Sequence, residues 1–261
     1  MPKPADGPHP QTDAIVLAGG GAEPGLPPDL PNKAFLPVGG RPLLAHVLDA
    51  LRASAAIARI AVAGPPDVRP WLPAGVLHVP DSGSLMANVV AALRALGSEE
   101  PVLVVASDIP LLTPEALEEF LAACRASPAD FHYAIVPREA MERVFPGAQK
   151  TYVTVADGTF TGGSLMLVRP QVIERVRPLV ERLLAARKKP WLLAQAFGWS
   201  VVLKFASGRL TIAEMMDRVA DLAGIAARAV IMQRPEVALD VDAGKPHNLA
   251  LITRALDRTG G

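Results

Sequence analysis

The run Asp13-Ala14-Ile15-Val16-Leu17-Ala18-Gly19-Gly20-Gly21 decides the fold. Residues 14–18 are apolar and stop at three consecutive glycines, the pattern of a short buried strand entering a loop. Glycine lets the backbone approach a bound group closely, and exposed backbone N–H groups cradle phosphate oxygens. An ordinary strand-to-loop turn has the same pattern. Two other phosphate loops are excluded. The dinucleotide pattern G-x-G-x-x-G needs a glycine at position 24, which is Pro24, and no Gly-Lys-Ser/Thr follows as in a P-loop.

Working outward, strand and helix patterns alternate. Pro42 suits a first helical turn, and Leu43, Leu44, Val47, Leu48 and Leu51 follow at helical spacing. Residues 60–63 and 76–79 read as strands. Residues 84–96 carry Leu85, Val89, Val90, Leu93 and Leu96 on one helical face. Residues 101–106 are apolar throughout, as in a strand buried on both faces. Thr113 and Pro114 open the next helix as cap and first-turn residues. That order predicts an α/β fold with a mostly parallel sheet between two helical layers.

Beyond residue 130 the rhythm changes. Residues 131–137, 151–155 and 163–168 read as strands, with Asp157-Gly158 as a turn between the latter two. A helix is expected over 171–188, kinked or split at Pro178. Thr211 and Glu214 form a capping box. Strands at 229–232 and 237–241 then precede a last helix from about Lys245. The chain reads as a disordered segment at 1–12 and one domain over 13–261, elaborated at about 130–230.

Composition narrows the function. Among 261 residues, 26 basic side chains balance 26 acidic ones. A general nucleic-acid binder needs an excess of Lys and Arg, and 7 Phe, 3 Trp and 2 Tyr supply few stacking platforms. Cys124 is the single cysteine, so a disulfide framework and multi-cysteine metal sites are out. It shares a helical stripe with Leu117, Phe120 and Leu121, which favours a buried structural thiol. The N-terminus lacks the apolar core of a signal peptide. The most membrane-like run, 190–206, is short and broken by Gln195, Gly198 and Lys204, so a buried helix or helix–strand pair is expected there. The expectation is a cytoplasmic protein, with the run at 190–205 open as core or as homodimer surface.

Five segments are candidates for chemistry. The glycine loop, Leu17 to Gly21, is the first. Lys33 follows in Asn32-Lys33-Ala34-Phe35-Leu36-Pro37, where a lysine near the sheet edge neutralises polyphosphate as a point charge. Asp108 lies just past the carboxyl end of a buried strand, where open α/β sheets bind ligands. Mg²⁺ typically takes one or two carboxylates plus substrate phosphates. An Asp that merely turns the chain before Pro110 reads equally well. Asp240 and Asp242 share a face if Leu239-Asp240-Val241-Asp242 is extended. Thr161, Gly162 and Gly163 suggest a tight turn, either ligand-contacting or plain. The five histidines show no metal spacing.

The runs LAGGG, NKAFLPVGGRPLLAHVLDAL and SDIPLLT, with the late DVD, resemble the nucleotidyltransferases of the glycosyltransferase-A-like superfamily. The nearest branch is the molybdenum cofactor guanylyltransferase-like group. The resemblance implies a Rossmann-like three-layer sandwich of the nucleotide-diphospho-sugar transferase type. It implies nucleotide binding by Leu17, Ala18, Gly19, Gly20, Gly21 and Lys33, with Ser84 and Asn88 at the base. It implies Lys33 and Asp108 as catalytic residues, Mg²⁺ on Asp108 with Asp242 or Asp240, and acceptor contacts from Thr161, Gly162 and Gly163. The expected partners are a nucleoside triphosphate and a phosphorylated small molecule, with no nucleic acid and no membrane. One departure stands out. The family loop commonly reads G-x-G-x-R, and Ala22, Glu23 and Pro24 occupy that stretch here. Lys33, Arg41 and Lys245 are candidate replacements for the missing charge. Two other readings follow: a nucleotide-binding regulatory protein with reduced catalysis, and a nucleotide-sugar-dependent glycosyltransferase.

Overall fold

The computed structural model describes residues 11–21, 25–186, 197–242 and 245–259. Its spine is an eight-stranded sheet. The strands are β1 (Thr12–Leu17), β4 (Ile57–Gly64), β5 (Leu77–Pro80), β6 (Val102–Ala106), β7 (Phe131–Pro137), β8 (Val153–Val155), β9 (Gly158–Val168) and β10 (Ala227–Ile231), ordered β10-β7-β9-β6-β1-β4-β5 with β8 paired to β9. Two short strands, β2 (Pro37–Val38) and β3 (Arg41–Pro42), pair separately. Neighbours β6-β1-β4-β5 and β10-β7 are parallel, while β9 runs antiparallel between β6 and β7. The sheet is therefore mixed and mostly parallel, as expected.

Alternation along the strands sends side chains to two cores. Val16, Val62, Leu103, Val105 and Leu165 face one layer, built by α1 (Leu43–Ala53), α3 (Pro114–Ala126), α4 (Arg138–Val144) and α8 (Pro246–Thr259). Ile15, Ala61, Ala63 and Val104 face the other, built by α2 (Leu85–Leu96), α5 (Ile173–Ala186) and α7 (Ile212–Ala223). One further helix, α6 (Trp199–Ala206), precedes α7. Caps fix the helix starts. Ser84 and Thr113 accept N–H bonds from Ala87 and Ala116, and Thr211 and Glu214 complete the expected capping box. Cys124 is buried on α3, and burial pushes its thiol up to about 12, which suits a structural role.

Several expectations are corrected. Residues 237–241 form no strand; Pro235 opens a 3₁₀ turn over Pro235–Val237, and Ala238, Leu239 and Val241 are buried from an irregular segment. The tight turn expected at Thr161, Gly162 and Gly163 is the middle of β9, opposite a register shift in β7. β1 begins at Thr12, inside the segment expected to be disordered; residues 1–10 lie outside the described residues. α5 runs unbroken through Pro178; Pro178 and Glu174 both face solvent, so the carbonyl that loses its partner is open to hydration. Its expected end at 187–188 lies outside the described residues. So does 190–196 of the long apolar run. The described remainder is not buried: Trp199 is 71% and Leu203 67% exposed on α6. Among the described residues no helix is long and apolar enough to cross a membrane.

Candidate active site

The site lies along the carboxyl edge of the parallel strands. β1 delivers the glycine loop, and the loop is shaped by its neighbours. The Gly20 N–H donates to Asp81 Oδ2 at 3.0 Å. Asp81 Oδ1 also accepts from the Gly83 N–H and the Asn88 amide. A Cβ on Gly19 would sit 2.5 Å from Asn88 Nδ2 and 2.9 Å from both Asp81 oxygens, so any other residue would push the Asn88–Asp81 pair out of its hydrogen bonds. These bonds from Gly20, Gly83 and Asn88 hold the Asp81 carboxyl below the usual carboxylate range. The Gly20 N–H is thus committed to Asp81 rather than open to a phosphate.

Asn32 clamps the same loop from the other side. Its buried amide donates to Ala18 O at 2.9 Å and Gly20 O at 3.3 Å, and its Oδ1 caps the 3₁₀ turn Lys33–Phe35. The turn carries Lys33 to the sheet edge, where its Nζ lies 2.7 Å from Asp108 Oδ2. Two of the sequence candidates are therefore in contact.

Asp108 follows β6 and is 4% exposed. Burial pushes its carboxyl above the usual carboxylate range; Lys33 opposes that, and the Asp240 charge adds to it. Its Oδ1 is buried and accepts no hydrogen bond. The late segment docks directly here, with the Val241 N–H donating to Asp108 O at 2.9 Å. Asp240 and Asp242 flank that bond but differ. Asp240 acts on Asp108 and binds Lys150 Nζ at 2.5 Å. Asp242 lies 3.2 Å from Lys245. Two carboxylates and two lysines thus converge on one edge.

An orphaned buried carboxylate oxygen beside a second acidic group fits a divalent cation. No group of three or more His, Cys, Asp or Glu gathers among the described residues, so such a cation would need oxygens from a ligand. The remaining expected residues divide. Ser84 is exposed at the α2 cap, and Asn88 is buried with its amide committed to Asp81 and the Ser82 N–H. Thr161 is buried in β9. A Cβ on Gly162 would meet Tyr133 Oη at 2.2 Å, and one on Gly163 would meet Ala134 Cβ at 3.0 Å, so these glycines admit β7 rather than form a turn. Of the candidate replacements for the loop arginine, Arg41 pairs with Asp49 and Lys245 with Asp242. Ala22, Glu23 and Pro24 lie outside the described residues.

Sequence reasoning missed Lys150, Asp81 and Tyr133. Lys150 is a lone lysine in a loop and carries no local signal. Asp81 had one: an acidic residue just past a strand that ends at the same sheet edge.

The mixed sheet and its glycine loop define a fold of the nucleotide-diphospho-sugar transferase class. The family described as MobA-like NTP transferase domain matches residues 14–189, and the chain belongs to it. A hypothetical transferase from Thermus thermophilus superimposes with a TM-score of 0.81 at 39% identity, over 92% of this chain and 99% of that one. A CMP:2-keto-3-deoxy-manno-octonic acid synthetase complexed with CTP shares the fold at TM-score 0.61 and 16% identity, over 96% of this chain and 100% of that one. The 2-C-methyl-D-erythritol 4-phosphate cytidylyltransferase of Cereibacter sphaeroides is 38% identical over 123 residues, 44% of this chain and 53% of that protein. The chain spans about half the length of the curated relatives it matches.

Proposed function

We propose that the chain is a Mg²⁺-dependent nucleotidyltransferase that moves a nucleoside monophosphate from a nucleoside triphosphate to a phosphorylated small molecule. The observation that carries this reading is the orphaned Asp108 Oδ1 beside Lys33 and the docked Asp240 segment. An oxygen of the acceptor phosphate attacks the α-phosphorus and forms the new P–O bond. The bond to the β-phosphate oxygen breaks, and pyrophosphate leaves with the electron pair. The acceptor oxygen is already ionised at neutral pH, so no side-chain base is needed. Positioning and charge stabilisation do the rest.

Asp108 with Asp240, or Asp242 in its place, would hold Mg²⁺, which supplies charge neutralisation between the phosphates. Lys33 and Lys150 lie on the same edge as point charges for phosphate oxygens. The Leu17–Gly21 loop would carry the triphosphate, and Ser84 the base side, with Asn88 positioning the 81–83 turn. The acceptor would approach β9 around Thr161, Gly162 and Gly163. The sequence motifs support a place in the molybdenum cofactor guanylyltransferase-like branch, and we place the reaction in the cytoplasm. Which nucleobase is used is for experiment to decide.

The test is pyrophosphate release with each nucleoside triphosphate and a panel of phosphate acceptors. Release is expected with one pair and absent in Asp108→Asn. Activity that survives that substitution defeats the metal assignment. Binding without turnover across the panel points to the regulatory protein, and hydrolysis of nucleotide sugars without pyrophosphate points to the glycosyltransferase.

A further inference from the structure

A cavity of about 280 Å³ lies on the face of the sheet covered by α2, α5 and α7. Leu85 and Val89 of α2, Met166 of β9, Val176 of α5 and Met216 of α7 are among its walls, with Tyr133 of β7. It adjoins the proposed site at two points. Leu85, which lines it, begins α2 directly after Ser84 and is 40% exposed. Tyr133 lines the cavity while its phenol rests against Gly162 and feels the Asp240 charge.

The walls decide what enters. Apart from the Tyr133 hydroxyl, the lining side chains are hydrocarbon and thioether. A nucleobase edge or a sugar hydroxyl placed there would be buried without partners, which is unfavourable. A hydrocarbon chain loses nothing and gains burial. We propose that the acceptor phosphate of this enzyme carries an apolar tail, an alkyl or isoprenoid chain, which occupies this cavity while its phosphate lies toward the edge that carries Lys33 and Lys150. The proposal rests on the nucleotidyltransferase reading and names its substrate class. Scaling from the cavity of ~150 Å³ that holds benzene, the tail extends to about ten carbons.

The test is calorimetry of the full chain, in Mg²⁺, with inorganic phosphate and with butyl, hexyl, octyl and dodecyl phosphate. Affinity is expected to rise about fourfold per methylene and to level off near ten carbons. Val219→Phe and Met216→Trp, two independent fillings of the cavity, are expected to make octyl and inorganic phosphate bind equally. Equal affinities across the series in the unaltered protein overturn the proposal. So does a chain-length gain that persists in whichever filled variant folds. Tail-dependent binding without pyrophosphate release from any nucleoside triphosphate keeps the cavity as an apolar-tail site and removes the transferase reading. Pyrophosphate release that is indifferent to the tail does the reverse.

Discussion

Gly162 shows how single residues shape this site. It sits in mid-strand, where glycine weakens a sheet, and it is there because Tyr133 Oη fills the space a methyl group needs. Gly162→Ala is expected to destabilise the protein by about 1–3 kcal/mol through overpacking. Tyr133→Phe in the same chain relieves the clash, because the nearest remaining ring atom lies at 3.2 Å. Denaturant titration of the two single variants and the double variant gives the coupling. Asp81 acts through charge. Its carboxyl is held low by Gly20, Gly83 and Asn88, so its contribution is present above the usual carboxylate pKa and is lost as pH falls through the lowered value. Asp81→Asn is therefore less stable near neutrality, and thermal melts should show the gap closing in acid, below the usual carboxylate range. Lys33 and Asp108 were legible in sequence because each flanks an apolar strand or a glycine loop. Lys150 was not, since its partner Asp240 is 90 positions away.

Among the elements, periodicity identified those buried on one stripe or both faces. It failed where burial has no period. Val237, Ala238, Leu239 and Val241 are apolar enough for a strand, yet Pro235 starts a 3₁₀ turn and the segment packs edge-on into the core of α1, α3 and α8. α4 escaped notice because its seven residues follow β7 without a break. α7 was legible from its cap alone. Thr211→Ala removes the oxygen that accepts the Glu214 N–H, and the expected loss is about 1 kcal/mol, read by chemical unfolding. Ser84 caps α2 in the same way, so Ser84→Asp, which keeps a cap, separates a nucleotide contact from a helix-stability effect in affinity measurements.

At the scale of the whole molecule, zero net charge coexists with a site of four charged groups, Lys33, Asp108, Lys150 and Asp240. The site is a local arrangement that composition does not report. A cation that binds only the folded site stabilises the fold by mass action, about 2.7 kcal/mol at one hundred times its dissociation constant. Mg²⁺ should raise the melting temperature of the unaltered chain and leave Asp108→Asn unmoved. The backbone bond from Val241 to Asp108 has a further consequence for how the molecule is made. Synthesis runs from the N-terminus, so the glycine loop, Lys33 and Asp108 emerge well before Asp240. A nascent chain arrested short of Val241 leaves Asp108 without the segment that packs on it, and the growing polypeptide assembles the charges of this edge only after residues 240–241 have emerged.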